Sequence, residues 1–176
     1  LISSDEKQIQ KAKFLATQAR DEAPHYEHSE IGFNYRLSNV SAAIGLGQLE
    51  VLNERVEKRR SIFEFYKTEF SDINELSFVD EPEGFFSNRW LTTILISEDS
   101  RISKEELRLF LENDNIESRP VWKPMHMQPI FRVYPAYGGD NSEYLFKYGL
   151  CLPSGSNLSD KDLSRIANKI KQAFEK

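Results

Sequence analysis

Thiol chemistry is almost absent: the 176 residues contain a single cysteine, Cys151. No internal disulfide can form, which excludes a disulfide-stapled secreted scaffold and makes a cytoplasmic location the expectation. Long hydrophobic runs are also missing. The best stretch, Leu91 to Ile96, is interrupted by two threonines and falls far short of the roughly 20 residues a membrane-spanning helix needs. There is no excess of positive charge either. Lys+Arg 23 against Asp+Glu 28 leaves a net charge of -5, which opposes a nucleic-acid backbone or an anionic membrane as the main partner. A small anionic ligand is still compatible with it, because a few placed donors outweigh a modest overall field. Finally, the chain lacks a Gly-rich phosphate loop, a CxxC pair, an HExxH motif, repeats and low-complexity tracts, which removes the enzyme classes those motifs serve.

What is present describes a folded chain of one domain or one and a fragment. Twelve Phe and seven Tyr supply more apolar area than a disordered chain carries. The chain opens on Leu1-Ile2 rather than Met, with no charged and apolar leader pattern. Leu1-Ile2 therefore reads as the stub of a strand, and the chain as a piece of a longer polypeptide. Ser3-Ser4-Asp5 offers capping oxygens for a helix expected from about Asp5 to Arg20. Asp21 to Phe33 is polar, contains Pro24 and Gly32, and has no period, so it is expected to be a long loop of the kind that carries function.

Ser38 can cap a helix expected over 39–70, whose apolar positions recur every three or four residues; at about thirty residues it is long enough to bridge two structural units. Small residues Ala42, Ala43, Gly45 and Gly47 cluster early in it, whereas Glu54 to Arg60 reads as a solvated charged face. Beyond it, strands are expected at Leu76–Val79, Trp90–Ile96 and Leu150–Leu152, with Ile116–Val121 confined to a sheet edge by Pro120. Capping-box spacings at Ser103–Glu106 and Ser159–Asp162 start two helices, the first stopped near Asn115 and the second running to Phe174; a short helix covers Ser142–Tyr148. Trp122 to Gly139 is rich in Pro and aromatics and has no period. The fold class expected is α+β, with a small sheet covered by helices on one side.

Four places could carry chemistry. His25 and His28 stand as H-x-x-H beside Glu27 and Glu30, a weak zinc pattern that equally suits ordinary hydrogen-bonding histidines. Cys151, between two leucines, is a small buried hydrophobe or, less simply, a nucleophile. Ile31 to Ser38 places Asn34, Tyr35 and Arg36 consecutively just ahead of a helix N-terminus, where an amide, a phenol and a guanidinium meet a phosphate or carboxylate well. The alternative there is a turn at Asn34 and a local acid for Arg36. Arg119 to His126 is stiffened by two prolines and presents Trp122, Lys123 and His126, which suits a nucleotide or sugar or, alternatively, a packed surface loop.

These segments together resemble a known family. Ala16-Thr-Gln-Ala-Arg20, His25-Tyr-Glu-His28, Gly32-Phe-Asn-Tyr-Arg-Leu-Ser-Asn-Val40, Ala42-Ala-Ile-Gly45 and Gln48-Leu-Glu50 are similar to the C-terminal half of the pyridoxal-phosphate sugar-nucleotide aminotransferases of the DegT/StrS group. Ser87-Asn-Arg-Trp90, Arg119 to His126 and Cys151-Leu-Pro-Ser-Gly155 continue the similarity nearly to the end. The resemblance implies a fold type I aminotransferase: 1–37 the end of the large domain, 38–71 a bridging helix, 72–176 the small domain. It implies pyridoxal 5'-phosphate as cofactor, a homodimer with shared active sites, and transfer of an amino group from glutamate to C4 of a UDP-4-keto-6-deoxy-N-acetylhexosamine in glycan biosynthesis. By the same resemblance Asn34 would reach the cofactor phosphate of the neighbouring subunit. His28, Tyr35, Arg36, Trp122, Lys123 and His126 would lie toward the nucleotide sugar.

The resemblance also implies what is missing. The family's Schiff-base lysine matches no position here, since Lys7, Lys11 and Lys13 fall on the exposed helix that follows it in the family. No catalytic residue is assigned, and the chain alone is expected to be inactive. Two alternatives from other classes stand beside this reading: a non-catalytic binding or dimerisation module of the same fold, and a metal-dependent hydrolase built on His25 and His28.

Overall fold

The computed structural model describes residues 2–175. Leu1 lies outside them, and Ile2 belongs to no strand and is fully exposed. The chain divides into two compact units, Leu1–Val51 and Leu52–Lys176.

The first unit is built around helix α1 (Glu6–Ala16) and helix α2 (Asn39–Glu50). Asp5, and not a serine hydroxyl, caps α1, its carboxylate accepting from the backbone N–H groups of Lys7 and Gln8. The helix stops four residues earlier than expected because Thr17 turns its hydroxyl onto the Lys13 and Phe14 carbonyls, and Gln18 and Ala19 take left-handed φ of 69° and 48°. Ser38 caps α2 by accepting from Ser41 N–H at 3.2 Å. The single helix expected over 39–70 is corrected here: it is interrupted at Val51 (φ -106°, ψ 5°), whose N–H turns to the Leu49 carbonyl. Gly45, Gly47 and β-branched Val51 are poor helix formers, and the ladder lapses where they cluster.

The second unit begins with α3 (Leu52–Glu69) and contains β1 (Leu76–Phe78), β2 (Thr92–Ile96), α4 (Lys104–Glu112), β3 (Arg119–Pro120), α5 (Asp140–Tyr148), β4 (Gly149–Leu152) and α6 (Asp160–Phe174). The strands make one antiparallel sheet in the order β1-β2-β4-β3. Pro120 sits on its edge strand, where the missing N–H costs no ladder bond. Thr92, Ile94 and Ile96 are buried on alternate positions of β2, opposite Leu152 and Leu150 on β4. Onto this face pack Ile62, Tyr66 and Phe70 at α3, Leu107 and Leu111 of α4, and Leu163, Ile166 and Ile170 of α6, giving one continuous core. Both capping boxes form at Ser103–Glu106 and Ser159–Asp162, and Asn115 stops the segment after α4 with φ 54°. An α+β unit with a small sheet forms as expected, with α3, α4 and α6 packed into one core with it. β1, β2 and β3 are shorter than the runs expected for them, whereas β4 begins one residue earlier, at Gly149. Among the described residues no helix is long and apolar enough to cross a membrane.

Candidate functional site

In the first unit the sequence-predicted residues hang on one short stretch, Leu15 to Ala19. Phe33 N–H donates to the Leu15 carbonyl at 2.7 Å, Gln18 N–H to the Phe33 carbonyl at 3.0 Å, and Tyr35 N–H to the Ala16 carbonyl at 3.0 Å. Thr17 and Asn34 thus pair as an isolated antiparallel bridge. Gly32 is required there, since a Cβ would stand 2.2 Å from the Ala19 nitrogen and the Gln18 carbonyl carbon. The backbone is therefore fixed while the side chains point outward. Tyr35 stacks on Phe33 with centroids 5.1 Å apart, and Asn34 and Arg36 are exposed, with no side-chain hydrogen bond or ion pair among the described residues. The local acid offered as an alternative partner for Arg36 does not engage it.

His28 anchors on the same stretch, its Nδ1 lying 2.9 Å from the Gln18 carbonyl and 3.2 Å from that of Ala19. Carbonyls only accept, so Nδ1 carries the proton and Nε2 is left as an acceptor on the exposed side. His25 faces elsewhere, with Nε2 3.1 Å from a Glu27 oxygen. Among the described residues no three His, Cys, Asp or Glu side chains converge as a metal site. Asp21 orders the intervening loop by accepting from Ser29 N–H and Oγ at 2.6 and 2.9 Å.

In the second unit Trp122, Lys123 and His126 occupy the irregular segment after β3, which settles into two short 3-10 turns at Met125–Met127 and Pro129–Phe131. His126 Nε2 lies 2.8 Å from Glu143 Oε1, and Gly139 (φ 121°) closes against the ring, where a Cβ would come within 2.9 Å of Cε1. Lys123 has no carboxylate partner among the described residues; its Nζ stands 6.0 Å from the centre of the Phe146 ring. Trp122 stacks on Trp90, centroids 5.8 Å apart and planes 28° from parallel.

Trp90, Arg59 and Arg60 were not assigned from the sequence. The charged run Glu54–Arg60 was expected to be solvated, yet its last two arginines hold the loop that carries Trp90. Arg60 makes a bidentate pair with Glu81 at 3.0 and 2.8 Å, and Arg59 donates to the Trp90 carbonyl. The Arg60 guanidinium, together with Ser87 N–H, pulls the Glu81 carboxyl down to about 2. Cys151 is buried, which pushes its thiol up and away from a nucleophile's range, and it meets only Thr93 Oγ1 at 3.6 Å. Two signals in the sequence pointed to Trp90: it closes the Ser87-Asn-Arg-Trp90 segment of the family resemblance, and it is one of two tryptophans in the chain.

With this geometry established, the comparisons decide the family. The model of the DegT/DnrJ/EryC1/StrS aminotransferase family matches residues 1–171. The chain belongs to that family. EpsN of Bacillus subtilis (strain 168), named as a pyridoxal phosphate-dependent aminotransferase, is 47% identical over 178 residues, covering 99% of this chain and 45% of EpsN. The GDP-perosamine synthase of Vibrio cholerae is 33% identical over 99% of this chain and 47% of its own length. Among solved structures, the fold of Helicobacter pylori PseC, an aminotransferase involved in pseudoaminic acid biosynthesis, matches with a TM-score of 0.81 at 21% identity, over 98% of this chain and 47% of PseC. The chain thus spans about half the length of the DegT/DnrJ/EryC1/StrS relatives it matches.

Proposed function

We propose that this chain is the C-terminal part of a pyridoxal-phosphate-dependent sugar-nucleotide aminotransferase. In that reading the complete enzyme moves an amino group from glutamate to C4 of a UDP-4-keto-6-deoxy-N-acetylhexosamine, working in the cytoplasm as a homodimer with shared sites. The observation that carries it is the family match over 1–171, read with the unpaired Asn34 and Arg36 side chains on a backbone pinned to Leu15–Gln18.

Pyridoxal phosphate, when bound, supplies an electron sink for the carbon that bears the amino nitrogen. The residues present fit its anionic end. Asn34 offers it two amide donors, Arg36 offers five guanidinium donors to the nucleotide sugar, and neither is already spent on a protein acceptor among the described residues. Their exposure fits a ligand or a second subunit approaching from outside the unit. His28, with its proton fixed on Nδ1, presents Nε2 as an acceptor. His126, oriented by Glu143, and Lys123 would meet the polar groups of the sugar nucleotide.

In this reading none of the described lysines carries out the proton transfer that the chemistry requires. Lys7, Lys11 and Lys13 are exposed along α1, and Lys11 is paired with Glu30. The chain alone is therefore proposed to be inactive. A second reading keeps the chemistry and changes the substrate to a GDP-sugar, favoured by the Vibrio cholerae relative. The test is to express the whole reading frame that contains the chain and offer it pyridoxal phosphate, glutamate and either UDP- or GDP-4-keto-6-deoxy sugars. Amino-sugar formation from the UDP substrate supports the proposal, and from the GDP substrate alone the second reading. No product from either overturns both.

A further inference from the structure

Exposed tryptophan is unusual, because a large apolar ring left in water forfeits most of its burial free energy. Here Trp90 and Trp122 are 57% and 65% exposed although each is within stacking distance of the other. Phe85 and Phe86, on the loop before Trp90, are 73% and 74% exposed. With Trp90 and Trp122 they line a cleft of about 420 Å³ that lies wholly within the second unit. Aromatic clusters of this kind mark a surface that something flat covers.

The backbone beneath these rings is not loose. Glu81 accepts from Arg60 and, at 2.6 Å, from Ser87 N–H. Arg89 is buried, adopts φ 48°, donates to the Val79 carbonyl at 2.8 Å, and lays its guanidinium 3.7 Å from the centre of the Phe63 ring. Trp90 N–H donates to Asn88 Oδ1 at 3.2 Å while its carbonyl accepts from Arg59. A left-handed non-glycine residue held by this many bonds is backbone strain retained for positioning. What it positions is the ring of the next residue.

The charges around the cleft then narrow the ligand. Asp80 is taken up by Lys67 and Arg89, and Glu81 by Arg60. The walls thus present rings and already-paired charges, which suits a planar uncharged ring and not a phosphate or carboxylate. The nearest unpaired cation along the chain is Lys123, immediately after Trp122 and outside the residues that line the cleft. A ligand that joins a flat neutral ring to an anion matches both features.

We infer that the Trp90–Trp122 pair is the stacking platform for the nucleobase of the sugar nucleotide, with Lys123 toward its phosphates, so that Trp90 determines nucleotide affinity. The inference rests on the sugar-nucleotide reading above. Stacking accepts any base, so the platform supplies affinity while selectivity among bases comes from hydrogen bonds elsewhere.

The two tryptophans are the only ones in the chain, so intrinsic fluorescence reports on this platform alone. UMP, GMP and N-acetylglucosamine 1-phosphate are titrated into the chain with excitation at the red edge of the indole band, and again with Trp90→Leu and Trp90→Phe after checking that both variants melt as the parent does. The expected result is saturable quenching by the nucleotides and none by the sugar phosphate. Trp90→Leu should weaken nucleotide binding about tenfold, and Trp90→Phe should restore most of it. Quenching by neither nucleotide, or equal nucleotide affinity in Trp90→Leu, overturns the inference. In the whole reading frame Trp90→Leu should raise KM for the keto sugar nucleotide about tenfold, leaving kcat and the glutamate KM unchanged. Amination with an unchanged KM overturns the platform and leaves the aminotransferase reading intact. Nucleotide quenching without amination of any keto sugar does the reverse.

Discussion

The two units of the chain spend their apolar residues in opposite ways. Between Leu52 and Glu175 the side chains of α3, α4, α6 and the sheet close over one another, leaving Ile62, Tyr66, Leu107, Leu111, Ile94 and Ile170 with no exposed surface. Between Ile2 and Val51 the one buried residue among those described is Ala19, while Ile31, Tyr35, Leu37, Val40, Ile44, Leu46 and Leu49 stand open. The second unit holds itself together by burial. The first is held by caps and a few backbone bonds at Leu15–Ala19, and it is also the unit that carries the unpaired donors proposed to meet the cofactor and the nucleotide sugar. A unit with little core of its own is one whose order depends on what it is pressed against, which agrees with a chain that spans about half of its relatives.

The contrast is sharpest where one aliphatic side chain in each unit is cut back to alanine. Leu111→Ala in α4 should cost about 2–5 kcal/mol by urea melting of the chain, through lost burial plus a cavity. Ile44→Ala in α2 should change the same melt by less than about 0.5 kcal/mol, because its side chain is already in water. Equal losses at the two sites would erase the distinction.

A smaller effect, confined to the first unit, is expected from Gly32→Ala. The added Cβ runs into the backbone of Gln18 and Ala19, so the loop must lift. The Phe33 and Tyr35 amides should then lose their exchange protection, while the melting temperature set by the second unit stays put.

Glu81→Gln probes the loop that carries Trp90. The folded-state Glu81 carboxyl is held at about 2 by Arg60 and Ser87, below an ordinary glutamate. Its stabilising contribution is therefore complete above the unfolded value near 4.5 and is lost as pH falls toward 2. The variant should melt below the parent at pH 7, and the gap should shrink as the pH is lowered through that window. A gap independent of pH would mean that the pair contributes nothing through its charge. Ser103→Ala and Ser159→Ala should each cost about 1 kcal/mol as their capping boxes open. Ser38→Ala at α2 should scarcely move the melt of the chain.

Legibility in the sequence followed the range of the interaction. Caps at Asp5, Ser38, Ser103 and Ser159 and the stop at Asn115 were readable because donor and acceptor lie within one turn. The pinning of Asn34 against Thr17 was not, although Gly32 marked the loop, because the close approach is made across the intervening polar segment. Glu54–Arg60 read as a solvated helix face for the same reason: its i,i+4 neighbours are charged, and nothing local announces that Arg60 meets Glu81 or that Arg59 meets the Trp90 carbonyl. Trp122 was singled out on its own segment, whereas Trp90 stood in a family motif with no role assigned, and its stacking on Trp122 was visible only in the fold. Helix 39–70 failed at Val51 because the apolar period continues through a point where weak helix formers break the hydrogen-bond ladder.

The central claim is that these residues supply the partner half of a pyridoxal phosphate site and not its covalent anchor. The most direct measurement is to mix the purified chain with equimolar pyridoxal phosphate, reduce with borohydride, and map the product by mass spectrometry, with the whole reading frame treated in parallel. The prediction is stoichiometric modification of one lysine in the whole polypeptide, upstream of Ile2, and no stoichiometric modification of any lysine in the chain alone. Stoichiometric trapping at a single lysine between Ile2 and Glu175 would contradict the claim.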